Sequence, residues 1–114
     1  MQIAEMTALE MGRKIKQREM SVTEAVQSSL AQIEASEDQI NSFVTVDAEG
    51  ALRQAAIVQK AIEEGTLDTP LAGVPVGIKD NMCTEGLLTT CCSKILYSSD
   101  ISMTLYRLFR HLQR

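Results

Sequence analysis

Leu71 to Leu96 reads LAGVPVGIKDNMCTEGLLTTCCSKIL, and the part of it up to Lys79 decides how the chain is understood. Val74-Pro75-Val76-Gly77-Ile78 is apolar or glycine throughout and ends on Lys79 and Asp80. A short apolar run bounded by turn residues predicts a buried strand. That strand would deliver an amine at its end, and an amine is costly to bury unless it is paired or neutral. A neutral lysine is a general base. A charged one would form an ion pair with Asp80. Neighbours on a strand point to opposite faces, which disfavours a direct Lys79–Asp80 pair. The residues by themselves leave both readings open.

Upstream of this stretch the pattern turns helical. Thr7 to Arg18 carries Ala8, Met11 and Ile15 at helical spacing. Ser21-Val22-Thr23-Glu24 is a capping box: the serine oxygen can accept a free N–H of the first turn while Glu24 reaches back. The helix that follows has Ala25, Val26, Leu30 and Ile33 on one face and a polar exit at Ala35-Ser36-Glu37-Asp38. Asn41 to Val46 is rich in β-branched residues and predicts a strand. Asp47 is a candidate N-cap for a third helix, Ala48 to Glu64. Its apolar face is read as Leu52, Ala55, Ala56, Ile57, Ala61 and Ile62, with a left-handed stop at Gly65. Downstream, Gly86 breaks the chain and Leu87 to Cys92 predicts a further strand or an extended loop. The expected content is three to four helices and two to three short strands. Glu10, Arg13, Lys14 and Lys16 read as a solvated helix face.

Composition sets the outer bounds. With 114 residues, 45% of them hydrophobic, the chain makes one domain at most, with a modest core. A net charge of −4, with no basic cluster of more than a few residues before a short basic patch at Arg107, Arg110 and Arg114 around His111, gives no electrostatic case for nucleic-acid binding. The cysteines are Cys83, Cys91 and Cys92. Adjacent cysteines do not readily form an unstrained mutual disulfide. With His111 as the only histidine, no zinc-binding spacing exists. Reduced thiols in a cytosolic protein are expected. No leader of charged and then apolar residues is evident, and no apolar run approaches ~18 residues. A soluble cytoplasmic protein without a membrane segment is therefore expected.

Taken together, Leu71-Ala72-Gly73-Val74-Pro75, Gly77-Ile78-Lys79-Asp80-Asn81, Gly86, Thr89-Thr90-Cys91 and Ser93-Lys94-Ile95-Leu96 resemble the amidase signature family. The first two groups are similar to the family at large. Asp80-Asn81 with Thr89-Thr90-Cys91 and Ser93-Lys94-Ile95-Leu96 is similar to one branch of it, the glutamyl-tRNA(Gln) amidotransferase A subunits. A weaker resemblance runs back to Ile3. Residues 1–96 would then be the N-terminal part of an amidase domain and 97–114 a divergent tail.

The resemblance implies an α/β fold, a mixed sheet flanked by helices. It implies a site in which one serine attacks an amide carbonyl, while a second serine, preceded by a cis peptide bond, relays the proton to a lysine. It places that catalytic lysine at Lys79. It also implies that the complete enzyme hydrolyses glutamine and passes ammonia to a B subunit. That partner would use ATP and magnesium to activate glutamate on tRNA(Gln), with a small C subunit completing the complex. Contact with tRNA would be indirect, and no cofactor or metal is expected in this chain.

The chain departs from the family in two ways. No Gly-Gly-Ser or Gly-Ser-Ser run occurs, so both catalytic serines are expected to be missing and the 114-residue chain to be inactive alone. Ser93 does not match the family's nucleophile and lacks a Gly-x-Ser-x-Gly elbow. Cys91 or Cys92 as a nucleophile would need a histidine, and only His111 exists. Secondly, the family continues after this point with an aromatic, prolines and Tyr-Asp-Ala-Thr-Val-Val, whereas this chain reads Tyr97-Ser98-Ser99-Asp100-Ile101-Ser102. Such an abrupt change reads as a frame change followed by early termination. The alternative is a short protein whose tail, through Met103, Leu105, Tyr106, Leu108, Phe109 and Leu112, forms a semi-amphipathic helix. Two rivals to the amidotransferase assignment are another amidase signature hydrolase acting on a small amide, and a non-catalytic remnant that binds other subunits.

Overall fold

The computed structural model describes residues 3–84 and 86–97, so the expectations for the tail beyond Tyr97 lie outside it. Two compact units divide the chain, Met1–Val76 and Gly77–Arg114. The first consists of a 3-10 turn at Ile3–Glu5 and three helices, α1 (Ala8–Lys16), α2 (Val22–Ile40) and α3 (Ala48–Glu63).

Each helix begins where a side-chain oxygen takes up backbone N–H groups that have no partner inside the helix. At α2, Ser21 Oγ accepts the Glu24 N–H at 3.1 Å and Glu24 Oε2 accepts the Ser21 N–H at 2.8 Å. Thr7-Ala8-Leu9-Glu10 carries the same signature, and it forms the same reciprocal box at α1, with distances of 3.3 and 3.0 Å. Asp47 Oδ1 accepts the Gly50 N–H at 2.9 Å to start α3. The exit of α3 is a Schellman turn. Gly65, at φ 73°, donates to the Ile62 carbonyl at 3.1 Å, and Thr66 donates to the Ala61 carbonyl at 3.0 Å.

The second helix runs through the polar stretch at 35–38 and ends only after Ile40, on Asn41 in the left-handed conformation (φ 50°, ψ 51°). The strand expected from Asn41 to Val46 does not form. Glu37 takes the Ser42 hydroxyl at 3.0 Å and the Phe43 N–H at 2.7 Å, which removes a donor that a ladder would need. Val44 and Val46 stand exposed. The expected strand ending at Lys79 is likewise irregular, with Val76 73% exposed. A strand exists through the partner that receives its N–H and C=O groups. Among the described residues neither segment finds one, and no strand is present.

A small core gathers where the three helices meet. Met11 and Ile15 of α1, Met20, Val22, Ala25 and Val26 of the α2 region, and Ala55 of α3 are buried. Leu30, Leu52, Val58, Ile62 and Val74 pack against them from the edge. The apolar face of α3 is therefore 51, 52, 55, 58 and 62, a helical stripe. Ala56 and Ile57, expected to face inward, lie off it, and Ile57 is 62% exposed. A polar tie crosses the same interface: Gln59 Oε1 of α3 accepts the Val22 N–H of α2 at 2.8 Å, and its amide donates to Glu63 at 2.8 Å.

Residues 70–74 lie across α1 and the start of α2, and two glycines make the approach possible. The Pro70 carbonyl sits where a side chain at Gly12 would begin. Gly73, at φ 82°, has Val22 Cγ2 within 2.6 Å of its missing Cβ and Ile15 Cδ1 within 3.3 Å. Val74 reaches the core because both positions are bare. An alanine at Gly12 would gain about 1 kcal/mol of helix propensity. Its methyl would collide with a backbone carbonyl that cannot rotate aside, and overpacking of that kind costs roughly 1–3 kcal/mol. Gly12→Ala should therefore lower the urea midpoint. A midpoint raised by the helix-propensity gain would show that residues 70–71 do not lie on α1.

Candidate functional site

The second unit, described as far as Tyr97, folds residues 77–83 against 84–93. Its regular structure among the described residues is one antiparallel bridge, Thr84 to Leu87, and a short helix, α4 (Lys94–Tyr97). Lys79 lies in this unit and is exposed. Its carbonyl accepts the Met82 N–H at 3.0 Å, closing a tight turn immediately after the lysine.

Asp80 holds this turn to the second half of the unit. Its Oδ1 accepts the Thr90 N–H at 2.7 Å. Its Oδ2 accepts the Thr90 hydroxyl and, at 3.1 Å, the Cys92 N–H. The Asp80 carbonyl accepts the Cys91 N–H at 3.0 Å. One residue before Thr90, the Thr89 hydroxyl donates to the Met82 carbonyl at 3.2 Å. Thr89 and Thr90 are almost fully buried, and these bonds satisfy both hydroxyls. Two backbone N–H groups and a hydroxyl converge on one charged acceptor, the stronger kind of hydrogen bond.

The loop that receives Asp80 is unusual. Thr90 C=O accepts the Ser93 N–H at 2.8 Å, and both residues between them have positive φ, 48° at Cys91 and 56° at Cys92. Those are the signs of a type I′ turn, which favours glycine, asparagine and aspartate. A side chain in the left-handed region costs about 1–2 kcal/mol per residue. The Asp80 bonds to Thr90, Cys91 and Cys92 hold the turn closed against that strain.

The ion-pair alternative for Lys79 and Asp80 is not what forms. Both Asp80 oxygens are taken by Thr90 and Cys92, and among the described residues no ion pair joins Lys79 to Asp80. Ser93 serves through its backbone N–H at the end of the left-handed turn. Cys91 and Cys92 are exposed free thiols, and Cys83 is a half-buried one. His111 lies outside the described residues. Among the described residues no three potential ligands cluster to hold a metal ion, and no helix is long and apolar enough to cross a membrane.

The amidase family model matches residues 24–102 of the chain, which include the whole of this site. The chain belongs to the amidase family. It is 60% identical over 98 residues to a protein of Agathobacter rectalis named as the A subunit of glutamyl-tRNA(Gln) amidotransferase, a match that covers 86% of this chain and 20% of that relative. Proteins of the same name from Lachnospira eligens and Lachnoclostridium phytofermentans are 54% and 52% identical, each over 84% of this chain and 20% of the relative. The chain thus spans about a fifth of the length of the curated relatives it matches. No solved structure matches it.

Within this unit the Asp80 link is the feature that sequence reasoning missed. Two adjacent threonines, small hydroxyl residues in an otherwise apolar and cysteine-rich stretch, were the available signal. The Thr90 hydroxyl, and after it the Thr90 N–H and the Cys92 and Cys91 N–H groups, hold the Asp80 carboxyl below its ordinary value of 3.8. Glu10 and Glu24 are held below 4.5 by the N–H and hydroxyl groups of Thr7 and Ser21. A folded-state value below the unfolded one means stability that is complete above the unfolded value and lost as pH falls through the folded one. Acidification below those ordinary values should therefore loosen both units. Asp80→Asn should abolish the acid-dependent step in amide exchange at Thr90 and Cys92 and leave that of Glu24 at α2 in place. Equal acid sensitivity of the Thr90 and Cys92 amides in wild type and variant would remove Asp80 as the cause.

Proposed function

We propose that this chain carries the proton-accepting lysine, Lys79, of the glutamine-hydrolysing A subunit in a glutamyl-tRNA(Gln) amidotransferase. The observation that carries the proposal is the close likeness to curated proteins of that name over the segment containing Lys79-Asp80-Asn81 and Thr89-Thr90-Cys91. The exposure of Lys79 at a fixed turn supports it, because a base must be reachable by the group it deprotonates.

In this mechanism a serine hydroxyl attacks the carboxamide carbon of glutamine. Its proton passes through the second serine to the Lys79 amine. The C–N bond breaks and ammonia leaves carrying a proton, and water then releases glutamate from the acyl-serine. Both serines belong to sequence outside these 114 residues. The ammonia would serve a B subunit that uses ATP and magnesium on Glu-tRNA(Gln), with a C subunit completing a cytoplasmic complex. Residues 43–46 and 74–78 would join the family's mixed sheet against strands that these residues do not supply. Exposure of Val44, Val46, Val76 and Ile78 supports such pairing.

A base without a nucleophile or oxyanion donors leaves little of the rate enhancement. The purified 114-residue chain should release no more ammonia from glutamine than its Lys79→Ala variant. Residues 1–96 joined to the remainder of the Agathobacter rectalis relative should hydrolyse glutamine, and Lys79→Ala should abolish that activity. A fused protein that keeps full activity with Lys79→Ala would end the assignment of Lys79 as the base.

A further inference from the structure

We propose that Asp80 is a positioning residue for Lys79, acting through Thr90 and Cys92; the proposal rests on Lys79 being the base. Backbone geometry carries it. Asp80 follows Lys79 directly, so whatever fixes the Asp80 backbone and carboxylate fixes the point from which the lysine side chain departs. Both ends of Asp80 are held. Its carboxylate accepts the Thr90 N–H at 2.7 Å, the Thr90 hydroxyl and the Cys92 N–H at 3.1 Å, while its carbonyl accepts the Cys91 N–H at 3.0 Å. The Lys79 carbonyl is fixed in turn by the Met82 N–H at 3.0 Å.

The burial pattern argues that this is more than incidental surface bonding. Thr90 is 4% exposed, and Thr89, which ties Met82, is 6% exposed, while Lys79 itself stands in solvent. The anchor is thus buried and the presented group is not. The left-handed pair Cys91 and Cys92 points the same way, since two non-glycine residues are held at positive φ where their N–H groups meet Asp80. Strain of this sort persists only when the surroundings over-determine it.

The step affected is proton acceptance, not substrate binding. Both Asp80 oxygens are engaged by the Thr90 and Cys92 loop, so its loss should displace the amine without touching glutamine. Misplacement of a reacting group by about 1 Å can cost roughly 10²-fold in rate.

The test uses the fusion of residues 1–96 to the remainder of the Agathobacter rectalis relative, with kcat and KM for glutamine measured separately and thermal unfolding recorded alongside. Asp80→Asn and Thr90→Val should each lower kcat by roughly 10- to 100-fold with KM unchanged, within the range that misplacement produces. Thr90→Ser retains both donors and should restore kcat to near the wild-type value. Thr90→Val keeps the Asp80 charge and the side-chain shape, so it answers the question even where Asp80→Asn fails to fold. Unchanged kcat in a folded Thr90→Val variant, or a rise in KM at constant kcat, would overturn the positioning role. Full activity in Lys79→Ala would instead overturn the assignment of the base. The two failures are therefore told apart by which variant stays active.

Discussion

Unpaired backbone N–H groups are the constraint around which this chain is organised, and carboxylates are its usual answer. Glu10 and Glu24 accept the N–H of Thr7 and Ser21 at the starts of α1 and α2. Asp47 accepts from Gly50 at the start of α3, Glu37 from Phe43 beyond the end of α2, and Asp80 from Thr90 and Cys92 in the second unit. An ionised carboxylate is acceptor-only and can take several donors at once. It can therefore close a helix end or a loop without a second strand or a large core. With only a handful of buried apolar residues among those described, such local devices matter, because burial alone gives little to set against chain entropy.

The same device explains why, among the described residues, helices form and strands do not. A helix satisfies most of its groups within itself and needs help only at its ends. A strand needs a neighbour along its whole length. Phe43 to Val46 and Val76 to Ile78 have the side chains of strands, but their exposure shows that side-chain type does not suffice. Gly12 and Gly73 then decide where the chain before the second of these segments can go. By leaving room for Pro70 and for the side chains of Val22 and Ile15, they let residues 70–74 follow the helices into the core.

Much of the first unit was legible in the sequence, because its determinants are local. The Ser21 box, the Asp47 cap and the Gly65 stop are each decided within a few residues, and each formed where expected. The errors share a cause, which is information held elsewhere in the chain. The polar run at 35–38 looked like a helix exit, yet an exposed helix is polar in its interior too, and α2 continued to a left-handed asparagine. Ile57 looked like core by residue type, but the helical stripe through Ala51, Leu52, Ala55 and Ile62 carries Val58 inward instead. For Asp80 the residues alone left a pair with Lys79 open as an alternative, although strand parity disfavoured it. Its real partners lie ten and twelve residues on, at Thr90 and Cys92, where no local rule points.

That last case separates two properties a catalytic lysine needs. One is a fixed place, and the other is an environment that favours the neutral amine. The Asp80–Thr90–Cys92 link supplies the first from residues within reach of one another in sequence. The second is a matter of surroundings, which a hydrogen-bonded loop does not by itself provide. The geometry that fixes the chain beside Lys79 thus forms within a small loop, from contacts ten and twelve residues apart.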